Sequence, residues 1–255
     1  MPFHRLILAA TALTALVTVA PAARAAEFSA PQRDEIGQIV RDYLVAHPEV
    51  LQEAMSELDK RQSAAEIEKQ KQGVAKNADA LYSSPHQVTL GNPEGNVTFV
   101  EFFDYNCGYC KGAMGDMLTL MKDDPKLKVV LKEFPVLGRG SQEAAEVAVA
   151  VRMQDKTGKK YLEFHQKLLG GRGQADRARA LAVAKEVGMD MTRLEKDMTS
   201  PEVKATIEEN MNLAQALGLN GTPSYVIGPQ VIVGAVGLPN LSAGINNARC
   251  GKAAC

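Results

Sequence analysis

Past an initial hydrophobic run, apolar residues recur at helical spacing. Ile36, Ile39, Val40, Tyr43 and Leu44 share one face, and Val50, Leu51, Ala54, Met55 and Leu58 continue the stripe. Ser29-x-x-Gln32 reads as a capping box opening the first helix. His47-Pro48 interrupts the stripe, and Pro48 suits the first turn of a second helix. From Asp59 to Asn77 the helix formers persist, but only Ala64, Ala65, Ile67, Val74 and Ala75 remain apolar. A helix this polar predicts a solvent-bridging stalk or a flexible linker, with Gly73 as a local weak point. The face on residues 30–58 must be buried against something. Self-association is the expected answer; folding back onto the chain's own core is the alternative.

The helical pattern ends near Ser83-Ser84-Pro85. Gln87 to Leu90 reads as a short strand, Gly91 to Asn96 as a turn, and Val97 to Asp104 as a buried strand rich in β-branched and aromatic residues. Met114, Met117, Leu118 and Met121 mark a helix, and Leu127 to Phe134, LKVVLKEF, a further core strand. A long helical stretch follows. Ser141 is placed as the cap of a helix holding Ala144, Ala145, Ala148, Val149 and Met153. A second carries Tyr161, Leu162, His165, Leu168 and Leu169. A third carries Ala178, Leu181, Ala182, Ala184 and Val187 and ends at Gly188. A fourth starts at Ser200-Pro201 and ends at Gly218. Then Gly221-Thr222-Pro223 introduces a hairpin, Ser224 to Ile227 and Gln230 to Val233, and a last helix runs from about Pro239 to Arg249. The order is β-β-α-β, a helical insertion, then β-β-α: an α/β domain.

Cys107-Gly108-Tyr109-Cys110 sits where the buried strand meets the first core helix. The first sulfur of such a motif lies at a helix N-terminus, where unpaired N–H groups and the helix dipole favour thiolate over thiol. Cys110, one turn in and less exposed, can attack a mixed disulfide and release what Cys107 holds. A structural disulfide and half of a zinc site are the alternatives for this pair. Cys250 and Cys255 are expected to form a small tail disulfide, with free thiols as the alternative. A four-thiolate zinc site joining both pairs would consume the reactive one. No cofactor is called for.

Met1 to Ala25 reads as a secretory leader cleaved after Ala25: a short basic start at His4-Arg5, an apolar run from Leu6 to Ala20, and Ala23-Arg24-Ala25. That run is short for a membrane span. Cleavage removes two of the 29 basic residues and no acidic one, leaving 27 against 30, a net charge of −3. Nothing in this balance suggests nucleic acid. Export leads to an oxidising compartment, where cysteines are disulfide-active.

Glu101-Phe102-Phe103, Cys107 to Cys110, the all-helical insertion and Thr222-Pro223 together resemble the thioredoxin fold. More closely, they resemble the DsbA-like thiol-disulfide oxidoreductases of the bacterial periplasm, over roughly residues 87–249. The resemblance implies a cis bond before Pro223, with the Thr222 backbone beside Cys107 where an extended substrate pairs as an added strand. It also implies buried charges near the active site at Glu101 and Lys132, which with Gly108 and Tyr109 would tune the cysteines. The alternative is that either charge points to solvent, and Asp104 shares that ambiguity. His47, His86 and His165 are expected to be structural or on the surface.

Residues 39–62 resemble the N-terminal helices of ScsC proteins, among which DsbC-like oligomeric isomerases and trimers occur. Gly108-Tyr109 with Thr222 resembles the isomerase pattern too. The implied protein is a disulfide isomerase or reductase, a homo-oligomer (trimer favoured) through residues 30–58. It would act on unfolded or misoxidised periplasmic proteins and be recycled by a membrane redox partner. The alternatives are a DsbA-like oxidase and, from a different class, a Cu(I)-binding copper-tolerance module using the dithiol. The expected organisation is a signal peptide at 1–25, an oligomerisation segment at 26–58, a stalk or linker at 59–84, and a DsbA-like domain at 85–255 with its insertion at about 138–219.

Overall fold

The structure is a computed structural model that describes residues 28–255. The leader assigned to residues 1–25 lies outside the described residues. The chain divides into two compact units, one ending at Leu58 and one spanning Asp59–Cys255.

In the first unit, α1 (Ala30–Ala46) opens on a capping box. Ser29 Oγ accepts from the Gln32 N–H, and Gln32 Oε1 accepts from the Ser29 N–H at 2.9 Å. Its apolar stripe is exposed: Ile39 is 61% accessible, and Ile36, Val40 and Tyr43 are open as well. The first turns of α2 (Glu49–Lys76) repeat this, with Leu51, Met55 and Leu58 exposed.

The stretch assigned to a stalk or linker, residues 59–84, is corrected in part. The α2 helix runs unbroken to Lys76, α3 (Ala78–Tyr82) follows after a turn at Asn77, and this end of the stretch belongs to the packed domain. Val74 on α2 and Leu81 on α3 are buried in one cluster with Val100, Phe102 and Val130. Gly73 is a contact point here: a Cβ at that position would lie 3.3 Å from the Ala216 carbonyl oxygen. The small residue lets two helices approach, which local propensity does not reveal.

Five strands form one sheet in the order β1-β3-β2-β4-β5: β1 (Val88–Gly91), β2 (Val97–Phe103), β3 (Leu127–Glu133), β4 (Ser224–Ile227) and β5 (Gln230–Val233). The central β2 and β3 are parallel, and the other pairs are antiparallel. Parallel strands buried on both faces read as near-continuous apolar runs, as Val97–Phe103 does except at Thr98 and Glu101. Phe99, Phe103, Val129 and Leu131 face one core, which also takes in α4 (Gly108–Asp123) and α10 (Leu238–Cys250). Val100, Phe102 and Val130 face the other, against α3 and α9 (Pro201–Ala216).

The insertion is helical throughout: α5 (Arg139–Gln154), α6 (Lys159–Gly170), α7 (Arg177–Glu186), α8 (Met191–Met198) and α9. Two expectations are corrected. The α8 helix is additional; it is a two-turn element whose cap is Asp190, accepting from the Arg193 N–H at 3.0 Å. Ser141 does not cap α5, whose N-cap is Gly138; its hydroxyl turns inward to Asp104. No helix among the described residues is long and apolar enough to cross a membrane.

Candidate active site

The site begins where β2 ends. Asp104 is buried, and its carboxylate accepts from the Asn106, Val136 and Leu137 backbone N–H groups at 2.8, 2.8 and 2.9 Å and from Ser141 Oγ at 2.7 Å. Asp104 therefore does not point to solvent. It ties the loop before the cysteines to the loop between β3 and α5. Asn106 adds a second tie, exchanging hydrogen bonds with the Ala175 backbone at 2.8 and 2.9 Å.

Held this way, Cys107 becomes the N-cap of α4. Its Sγ accepts from the Cys110 N–H at 3.3 Å and donates to the Thr222 carbonyl at 3.2 Å. One orphan helix donor thus points at the sulfur, as a thiolate requires. Cys110 is fully buried, and burial pushes its thiol well above the ordinary range. Neither cysteine is bonded to another. Gly108 faces open space, and Tyr109 is 75% exposed.

The Thr222–Pro223 peptide is cis. The Pro223 carbonyl accepts from the Gly234 N–H at 2.8 Å, which joins this loop to the end of β5. The Thr222 carbonyl is thereby presented to the sulfur from across the sheet.

Glu101 and Lys132 part company. Glu101 pairs with Leu131 and Tyr225 in register and lies on the face covered by α4. Burial, and then the nearby Asp116, raise its pKa from 4.5 to about 8. Lys132 pairs with Phe102 and faces the opposite core, so it is not brought to the cysteines. Its ammonium donates to the Ala80 carbonyl at 2.7 Å and lies 3.5 Å from Glu209. Burial lowers its pKa to about 8, against the pull of Glu209.

The charge that β3 does place on the Glu101 face is Glu133, absent from the expected set. Its Oε1 accepts from Tyr161 Oη at 2.5 Å and Tyr105 Oη at 3.4 Å, and burial raises its pKa to about 8. His165 lies in the same core, its ring 4.6 Å from that of Phe103, and burial lowers its pKa to about 3. Strand alternation carries the signal for Glu133, but only once the register of β3 against β2 is known. His47 pairs with Glu49 and His86 with Glu202, so each has a carboxylate partner of its own.

Cys250 and Cys255 form a disulfide at the exposed end of α10. The preceding Arg249 pairs with Asp124 at the end of α4, the far pole from Cys107. At 1.5 Å per residue, sixteen residues of helix separate the two cysteine pairs by roughly 24 Å.

The family model for the DSBA-like thioredoxin domain matches residues 98–246, and that for the copper resistance protein ScsC N-terminal domain matches residues 32–65. Among solved structures, a thioredoxin-like oxidoreductase from Silicibacter pomeroyi DSS-3 is 46% identical, over 68% of this chain and 98% of that one, with a TM-score of 0.64. The thiol-disulfide exchange protein alpha-DsbA2 of Wolbachia pipientis is 29% identical over 72% and 97%, TM-score 0.66. ScsC of Proteus mirabilis in a transitional conformation is 29% identical over 88% and 98%, TM-score 0.64. Among curated proteins, a sodium/proton antiporter NhaA 1 of Salinispora arenicola is 27% identical over 163 residues. The match takes in 63% of this chain but only 24% of that protein's length.

Proposed function

The chain belongs to the DSBA-like thioredoxin family, and from that premise we propose that it exchanges disulfides on exported proteins as an oligomeric isomerase or reductase. The observation that carries the reading is Cys107 Sγ, set between the Cys110 N–H and the Thr222 carbonyl. The sulfur has a donor to hold negative charge and, beside it, a backbone edge where an extended substrate can pair.

The Cys107 thiolate attacks one sulfur of a substrate disulfide. The S–S bond breaks, the other substrate sulfur leaves as thiolate, and a mixed disulfide forms. A second substrate thiolate can attack the substrate sulfur of that bond and regenerate Cys107, a rearrangement with no net electron transfer. Otherwise Cys110 loses its proton and attacks Cys107 Sγ. The substrate then leaves reduced, and a Cys107–Cys110 disulfide holds the oxidised equivalent, which a membrane redox partner must return to the dithiol. Run backwards, the same chemistry is that of an oxidase.

The exposed stripe on α1 and the start of α2, with the ScsC-type match over the same residues, favours the isomerase: a homo-oligomer, expected to be a trimer, would cover it. The leader at residues 1–25 supports action in the periplasm. Gly108 and Tyr109 face the substrate side and Glu101 takes the Cys110 proton.

The test is reactivation of scrambled ribonuclease by the mature chain, beside a chain starting at Asp59 and a Cys107→Ser blank. Truncation stops at Asp59 because Val74 and Leu81 belong to the core. Reactivation lost on truncation supports the reading. Failure of the full chain, with rapid oxidation of reduced ribonuclease, overturns it in favour of an oxidase.

A further inference from the structure

Tyr225 stands directly opposite Glu101 on β4, and both side chains lie on the face covered by α4 and α10. Side chains opposed across an antiparallel pair are neighbours, with Cβ atoms roughly 5 Å apart. The Tyr225 ring packs against Phe99 at 5.2 Å between centroids. The residue is 1% exposed, yet Tyr225 Oη has no hydrogen-bond partner among the described residues. A buried orphan hydroxyl costs about 1–3 kcal/mol. Phenylalanine would fill the same space without that cost, so the hydroxyl itself calls for an explanation.

Its surroundings supply one. Besides burial, the groups that act on the hydroxyl are Glu101 from β2, Cys110 and Asp116 from α4, and Cys107. Each holds it protonated. Tyr225 is therefore an O–H donor within electrostatic reach of two groups, Cys110 and Glu101, that carry negative charge in turn during the reaction. The carboxyl of Glu101 likewise makes no hydrogen bond among the described residues. With no direct bond between them, a single bridging water would give the hydroxyl its acceptor and reach the carboxyl.

We propose that Tyr225 is a positioning residue, whose hydroxyl holds the water through which Glu101 takes the proton of Cys110. The inference rests on the exchange reading above. In the resolving step the Cys110 S–H bond breaks and its proton passes through the water to the Glu101 carboxylate. The Cys110 sulfur then forms a bond to Cys107 Sγ, the bond from Cys107 to the substrate sulfur breaks, and the substrate leaves as thiolate with the electron pair. Asp116, partly exposed on α4, is close enough to Glu101 for its charge to favour the protonated carboxyl.

The experiment uses the reduced full mature chain and a chromogenic nitrobenzoate disulfide, which releases one coloured thiolate on attack by Cys107 and a second on resolution by Cys110. The second, unimolecular phase is followed against pH. Tyr225→Phe is expected to slow it about tenfold at and above pH 8, where the Glu101 carboxyl ionises and can take the proton, a part of the roughly 10²–10⁴-fold that general acid–base catalysis contributes, while leaving the first phase and the melting temperature unreduced. Glu101→Gln should cause a similar loss, and the double variant should be no slower than either, because both act on one step.

A Tyr225→Phe protein that resolves at the parental rate across the pH range, with a raised melting temperature, overturns the proposal. So do losses that multiply in the double variant, or a second phase indifferent to Glu101→Gln. Absence of the first phase in the parent, or persistence of the second in Cys110→Ser, would instead overturn the exchange reading on which the proposal rests.

Discussion

Two buried glutamates stand on the same face of this sheet, Glu101 on β2 and Glu133 on β3, and both have their pKa raised to about 8 by burial. The Glu133 carboxyl has its donors: two tyrosine hydroxyls donate to one of its oxygens, and the tyrosines come from the active-site loop and from α6, while His165 Nδ1 in the same core stays without a partner. The Glu101 carboxyl has no such donors among the described residues. Its strand partner Tyr225 keeps an unpartnered hydroxyl, and the nearby groups are a thiol and a further carboxylate. A satisfied buried network rigidifies, whereas unsatisfied groups cost stability and mark places where chemistry, not packing, sets the residue. Glu133 thus reads as a brace joining β3, the Cys107 loop and the helical insertion, and Glu101 is the group proposed to work with Cys110.

The sharpest way to break this contrast is Glu133→Ala. It orphans two hydroxyls and opens a cavity, so a loss of about 3 kcal/mol is expected in a urea titration. The rate of Cys110 resolution per folded molecule should stay near the parental value. A large rate loss without destabilisation would reverse the two roles.

Tyr161→Phe removes the 2.5 Å bond and leaves Glu133 only its longer partner. About 2 kcal/mol should be lost by the same titration.

The two carboxyls also predict a pH dependence. Each binds its proton more tightly in the folded state, from 4.5 to about 8, so the stability they give is full below pH 4.5 and falls as pH rises through 8. His165, lowered from 6.5 to about 3, acts in the opposite sense below 6.5. The clean window is therefore pH 6.5 to 8, in which stability should fall. Glu101→Gln should flatten that slope by at most about 1.4 kcal/mol per pH unit. A slope unchanged in Glu101→Gln would mean that this carboxyl is already ionised at neutral pH.

Tyr105→Phe is the mildest change. Its hydroxyl is 3.4 Å from Glu133, so about 1 kcal/mol or less is expected, measured in the same titration.

The C-x-x-C at a strand-to-helix junction, the apolar run of β2, the helical insertion and the capping box at Ser29 were legible in the sequence because each depends on residues within a few positions of one another. Periodicity, capping and turn chemistry are local, and they carry the α/β order of the domain without help from distant contacts. The α8 helix escaped because two turns hold too little periodicity to stand out. Ser141 was misplaced because the same hydroxyl that suits a cap also suits a buried carboxylate, and only the fold brings Asp104 to it.

The rest was decided by tertiary structure alone. Whether Lys132 or Glu133 shares a face with Glu101 depends on the register of β3 against β2, and one position of slip exchanges the two. The pairing of Glu101 with Tyr225 joins residues more than a hundred positions apart. Gly73 and Val74 look like part of a polar connector until the end of α9 packs against them. Local physics determined which elements form and where the reactive sulfur sits; long-range packing determined which buried charges stand beside it.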